Sequence, residues 1–201
     1  MDFDVDTPVG AASVRLDHPD SPQSLLVLGH GAGGGVDAPD LLAVRDHALR
    51  RGVAVARVTQ PYRVAGRRSP APAKQLDTAW LAVVAELRTR PGLGELPLIA
   101  GGRSSGARVA CRTAVAANAA GLVALAFPLH PPGRPERSRA EELLTGVPTL
   151  VLNGERDPFG IPEPGPEVRV VVLPGANHSL RNVARQAAEI TVVWLAEHGW
   201  V

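Results

Sequence analysis

The chain has 201 residues, 45% of them apolar and 20% charged, with Lys plus Arg at 21 against Asp plus Glu at 20. A net charge of +1 lacks the basic excess of a dedicated nucleic-acid binder, and 3% aromatic residues leave little for base-stacking platforms or aromatic cages. The single cysteine, Cys111, excludes an intrachain disulfide and any Cys-based zinc or iron–sulfur site built from this chain alone.

The opening Met-Asp-Phe-Asp-Val-Asp is acidic where a signal peptide is basic, and no segment approaches the roughly 20 unbroken apolar residues of a membrane span. A soluble protein in a reducing cytoplasm, with no membrane or nucleic-acid partner, is the expectation. Nothing in the sequence specifies an oligomeric state.

Short aliphatic runs bounded by Gly or Pro alternate with longer segments of helical periodicity, the pattern of a parallel sheet with crossover helices. Phe3 to Asp6 and Ala12 to Leu16 read as a strand pair turning at Thr7-Pro8-Val9-Gly10. Ser24 to Leu28 is a continuous apolar strand running into Gly29-His30-Gly31-Ala32-Gly33-Gly34-Gly35. Pro39 opens a helix through about Arg50, Gly52 ends it, and Val53 to Val58 is the next strand.

Gln60 to Pro72, with three prolines and three arginines, reads as a loop; Lys74 to Arg88 is a helix with Leu76, Trp80, Val83, Val84 and Leu87 on one face. Pro97 to Ala100 is a strand leading into Gly101-Gly102-Arg103-Ser104-Ser105-Gly106, and Ala107 to Ala119 is a small-residue helix. Leu122 to Phe127, Thr149 to Leu152 and Val168 to Leu173 are strands, and Ser179 to Glu197 is a closing amphipathic helix. The sum is one three-layer α/β/α domain over residues 1–201 with a mostly parallel sheet of about eight strands.

Gly102-Arg103-Ser104-Ser105-Gly106 is a G-x-S-x-G pentapeptide between an aliphatic strand and a helix. A serine on such a turn is held in a strained conformation, and small residues two positions to either side avoid collision. The hydroxyl then projects at the carboxyl edge of the sheet beside a helix N-terminus, which favours negative charge. A serine hydroxyl needs a base and a group to orient that base. His178, between the last strand and last helix, and Asp157, just past the preceding strand, supply them in the chain order Ser104, Asp157, His178.

The backbone N–H groups of Ala32 and Ser105 are candidate oxyanion donors. Gly29-His30-Gly31-Ala32-Gly33-Gly34 also matches the dinucleotide fingerprint G-x-G-x-x-G. Two strands precede it, however, its helix starts only near Pro39, and the strand end Arg57-Val58-Thr59 offers no acidic ribose partner.

Together these segments resemble the α/β-hydrolase superfamily in its small, lid-less, dienelactone-hydrolase-like branch. Pro61-Tyr62-Arg63-Val64-Ala65-Gly66-Arg67-Arg68, Pro128-Leu129-His130-Pro131-Pro132-Gly133 and Arg156-Asp157-Pro158-Phe159-Gly160 are similar to predicted hydrolases related to a chromatin-complex subunit and a testis-expressed protein. The resemblance spans essentially the whole chain. It implies an α/β-hydrolase fold with Ser104 as nucleophile, His178 as general base, Asp157 as its orienting acid, and Ala32 with Ser105 as oxyanion donors. Dienelactone hydrolase itself carries a cysteine nucleophile, so its substrate does not carry over.

A serine at the elbow also argues against the dehalogenases and epoxide hydrolases of this fold, which use a carboxylate. Cap domains usually enter after the strand ending near Phe127, yet only about twenty residues precede Thr149, room for one short helix over Ser138 to Leu144 and no lid.

The expected activity is hydrolysis of a small soluble ester or thioester, of carboxylesterase or thioesterase type, without metal or organic cofactor. The alternative is a silent hydrolase fold serving as an interaction module. Arg63, Arg67 and Arg68 lie on the same edge of the sheet, either as a clamp for a substrate anion or as solvated loop charges. His30 and His130 are further candidates for the pocket lining, His130 with a structural role as the alternative. Arg103 has its backbone pinned beside the nucleophile, its side chain facing solvent or an acid. Cys111 reads as a buried small apolar residue.

Overall fold

The computed structural model describes all residues, Met1–Val201. Eight strands form one sheet: β1 (Asp2–Thr7), β2 (Gly10–Asp17), β3 (Ser24–Gly29), β4 (Val53–Thr59), β5 (Leu98–Arg103), β6 (Gly121–Leu125), β7 (Thr149–Gly154) and β8 (Val168–Leu173). Their spatial order is β1-β2-β4-β3-β5-β6-β7-β8. The β1–β2 and β2–β4 pairs are antiparallel and the remaining pairs are parallel.

Burial on both faces explains why β3 and β7 are buried along their whole length and read as unbroken apolar runs. Successive side chains alternate between two cores. Leu25, Val27, Ala56, Ala100 and Val151 face α3 (Ala73–Thr89) and α4 (Ser105–Thr113), whose Trp80, Val83, Leu87, Ala107 and Ala110 complete that layer. Leu26, Leu28, Val55, Ile99 and Leu152 face α1 (Pro39–Leu49) and α5 (Ala184–Glu197), whose Leu41, Val44, Trp194 and Leu195 complete the other.

The strand order reverses at β3, which has β4 on one side and β5 on the other. Crevices in open α/β sheets form at such a switch point, outside the carboxyl ends of the strands. Here those ends are Gly29 and Gly102, paired in register.

Four local departures from the sequence reading have physical causes. Within the expected Gln60–Pro72 loop, Pro61–Val64 forms one helical turn, α2, started by a proline at its first position. The helix after Ser104 ends at Thr113 rather than Ala119, because the chain turns through Asn118 (φ 50°) to enter β6. Leu180 takes φ 49° and is fully buried, so the expected helix from Ser179 is a 3₁₀ turn at Arg181–Val183 followed by α5. Between β6 and β7 stands only a 3₁₀ turn, Ala140–Leu143, so no cap covers the sheet edge. No helix is long and apolar enough to cross a membrane.

Candidate active site

Ser104 links β5 to α4 with φ 53° and ψ −110°. Such a backbone is strained for a residue with a Cβ and persists because its surroundings overdetermine it. Its N–H donates to the Leu125 carbonyl on β6 (2.9 Å), and its own carbonyl accepts from Arg108 N–H (3.2 Å). The flanking glycines are dictated by Gly29. A Cβ at Gly102, whose φ is 152°, would lie 2.5 Å from the Gly29 carbonyl oxygen, and one at Gly106 would overlap the Gly29 carbonyl group. Elbow and β3 therefore meet backbone to backbone.

The Ser104 hydroxyl lies 2.9 Å from His178 Nε2, and His178 Nδ1 lies 2.8 Å from Asp157 Oδ2. A carboxylate accepts only, so Nδ1 carries the proton and donates to Asp157, which leaves Nε2 to accept from the serine. The Asp157 side chain is fully buried, and its Oδ1 accepts the Phe159 N–H (2.9 Å). The Phe159 ring packs against the imidazole at 4.3 Å between centroids.

Asn153, buried in β7, anchors the acid loop: its Oδ1 accepts Phe127 N–H (2.9 Å), and its Nδ2 donates to the carbonyls of Phe127 (3.0 Å) and Gly160 (3.1 Å). The sequence reading ends this strand at Leu152 and passes over Asn153, although a polar side chain closing an aliphatic strand four residues before Asp157 is a usable signal. The contribution of Phe159 had no comparable signal.

The glycine loop after β3 stands against the elbow, since a Cβ at Gly31 would lie 3.7 Å from Ser104 Cβ. Neither the Ala32 nor the Ser105 N–H donates a hydrogen bond within the protein, so both are free to serve an oxyanion. The Tyr62 hydroxyl donates to the Ala32 carbonyl (2.8 Å) and so fixes the Ala32–Gly33 peptide, while the Gly31 carbonyl, on the same peptide as the Ala32 N–H, accepts from His30.

His30 requires a correction. Rather than lining a substrate pocket, it is 3% exposed with both ring nitrogens engaged. Its Nε2 accepts Gln60 N–H (3.1 Å), so its Nδ1 is protonated and donates to the Gly31 carbonyl (2.8 Å). Burial holds its pKa below the ordinary histidine value, outweighing the raising effect of the Gly31 carbonyl. It is a neutral strut between the glycine loop and the start of α2.

Arg67 and Arg68 are exposed and Arg63 is half-buried; none is within ion-pair distance of an acid, and Arg63 Nη1 donates to the Arg67 carbonyl (3.3 Å). Arg67 edges a cavity of about 300 Å³ that also touches Tyr62 and Gln60. His130, half-buried in the β6–β7 connection, has Nδ1 2.9 Å from the Pro131 carbonyl and its ring against Gly160 of the loop that carries Asp157. Cys111 is buried, with burial pushing its thiol up to about 12, so it is inert at neutral pH. A second cavity, of about 380 Å³, is bounded by Gly34, Gly35, Asp37, Pro39, Arg103 and Arg181, and none of Ser104, Asp157 and His178 lines it.

A family model described as an alpha/beta hydrolase domain matches residues 22–196. Comparison with curated proteins finds no matching sequence. Among solved structures, an alpha-beta serine hydrolase homologue from Coxiella burnetii is similar with a TM-score of 0.76 and 18% identity over 97% of this chain and 97% of that one. A serine hydrolase without lid from Xanthomonas campestris is similar with a TM-score of 0.74 and 20% identity over 95% and 94% of the two chains. A dienelactone hydrolase from Anabaena variabilis is similar with a TM-score of 0.77 and 16% identity over 98% and 96%. At these identities the likeness is one of fold, and the fold is that of the lid-less, dienelactone-hydrolase-like architecture. With the family's model matching residues 22–196, most of the chain, the protein belongs to the α/β hydrolase family.

Proposed function

We propose that this protein is a serine hydrolase of carboxylesterase or thioesterase type acting on small soluble acyl substrates. The observation that carries the proposal is the unbroken hydrogen-bonded chain from the Ser104 hydroxyl through His178 to Asp157, at 2.9 and 2.8 Å. In this reading Ser104 Oγ attacks the acyl carbonyl while its proton passes to His178 Nε2. The imidazolium that results is stabilised by Asp157, buried and already bonded to Nδ1.

The carbonyl oxygen, now an oxyanion, accepts from the Ala32 and Ser105 N–H groups, each commonly worth about 3 kcal/mol. His178 then returns the proton to the departing alcohol or thiol. A water repeats the sequence on the acyl-enzyme, releasing the carboxylic acid and restoring Ser104.

A sheet edge with only a 3₁₀ turn between β6 and β7 and no cap over it suits short acyl groups in water better than an aggregated lipid. Rapid mixing with a short-chain p-nitrophenyl ester tests the scheme. A burst of nitrophenol stoichiometric with enzyme is expected if deacylation is the slower step, and absence of any turnover across short esters and thioesters would dismiss the proposal.

The cations of Arg63, Arg67 and Arg68, free of acidic partners, support a preference for acyl substrates bearing a carboxylate or phosphate. Replacing Arg67 and Arg68 together with alanine is expected to raise KM for an anionic ester by about threefold to tenfold and leave a neutral ester of the same size unchanged. Equal effects on both would assign the arginines to packing.

A further inference from the structure

Arg103 occupies the variable position of the elbow, between Gly102 and Ser104. Its guanidinium touches three parts of the site at once. Nη2 donates to the His178 carbonyl at 3.1 Å. Nη1 lies where a Cβ on Gly31 would come within 2.9 Å of it, so the position next to Ala32 accommodates only glycine without displacing the arginine. Nε lies 3.1 Å from Oδ2 of Asp40, a fully buried carboxylate in the first turn of α1.

The pairing with Asp40 is poorly aligned. Although the charges are close, neither Arg103 Nε nor Asp40 Oδ2 makes a hydrogen bond, and Asp40 Oδ1 is taken by Leu41 N–H (3.0 Å). By contrast, Arg112 meets its carboxylate as a two-pronged fork, bonding Asp77 through Nε (2.9 Å) and Nη2 (2.6 Å). That arrangement gives a partly buried ion pair its strongest hydrogen bonding. At Arg103 the fork is instead turned away from the acid and toward the base loop and the glycine loop, with Asp40 supplying the countercharge.

The contact with His178 is also the only hydrogen bond that residue's main chain makes within the protein. Its neighbours Asn177 and Ser179 are exposed, and the nearest buried anchors are Ala176 on one side and Leu180 on the other.

We propose that Arg103 is a positioning residue that holds the His178 main chain and the Gly31–Ala32 oxyanion loop in register with Ser104, Asp40 serving as its buried counterion. The proposal rests on the triad reading above.

The test is Arg103→Lys, which keeps a cation beside Asp40 but cannot span that carboxylate and the His178 carbonyl together. Should it fail to fold, Arg103→Met with Asp40→Leu removes both charges and leaves no lone buried ion. Two quantities are read on the full-length protein: amide hydrogen exchange of the 175–180 segment, and the rate of labelling by a fluorophosphonate. The expected result is exchange faster by about tenfold in that segment, with labelling slower by about tenfold to a hundredfold.

Exchange and labelling both within about twofold of the parent would overturn the proposal, as would faster exchange without slower labelling in a parent that labels. Faster segmental exchange in a parent that never labels would uphold the tether and overturn the nucleophile reading instead.

Discussion

Ser104→Ala is expected to lower kcat on any hydrolysed ester by at least about a thousandfold, about 4 kcal/mol of transition-state stabilisation, with the melting temperature unchanged. Oγ makes its one hydrogen bond to His178 Nε2, so its removal leaves the fold's own bonds intact. The Ser104 N–H still reaches the Leu125 carbonyl and its carbonyl still accepts from Arg108. Alanine bears the same Cβ as serine, and the strain at φ 53° is therefore unaltered. Steady-state kinetics with rigorously purified variant measure the effect. A loss of less than about tenfold would remove Ser104 from the chemistry.

Asp157→Asn is expected to cost about a thousandfold to ten-thousandfold in kcat while leaving the structure in place. The surroundings decide which way the new amide points. At the Oδ1 position a backbone N–H arrives from Phe159 at 2.9 Å, so the amide oxygen must remain there. The amide nitrogen is then left facing His178 Nδ1, where it donates. Nδ1 becomes an acceptor, the proton moves to Nε2, and the base presents an N–H to Ser104 instead of a lone pair. Kinetics paired with NMR of the imidazole nitrogens would check both halves, and near-parental kcat in the asparagine variant would contradict the role given to Asp157.

The fold was legible because its strands are aliphatic runs ended by glycine or proline, a signal that burial on both faces makes strong. The three groups Ser104, Asp157 and His178 were legible for a related reason: each stands directly past the carboxyl end of a strand, where local pattern alone locates a side chain at one edge of the sheet. The structure brings them into one hydrogen-bonded chain.

Side-chain direction was beyond that pattern. His30 follows a strand in the same way, yet its ring turns inward to bridge Gly31 and Gln60, a choice set by the tertiary position of α2. Arg103 and Asp40 lie 63 residues apart in sequence, in separate elements, and no periodicity links them. The inward Leu180 that shortens the last helix obeys core packing over local propensity, because its left-handed backbone is one that a leucine adopts only when burial repays the strain.

The central claim, that Ser104 is an activated nucleophile, is tested most directly by treating the folded protein with a fluorophosphonate and reading its intact mass. A single adduct per chain, absent in Ser104→Ala and strongly slowed in His178→Ala, is the predicted result. An unlabelled wild-type protein, or an adduct that persists in Ser104→Ala, would contradict it.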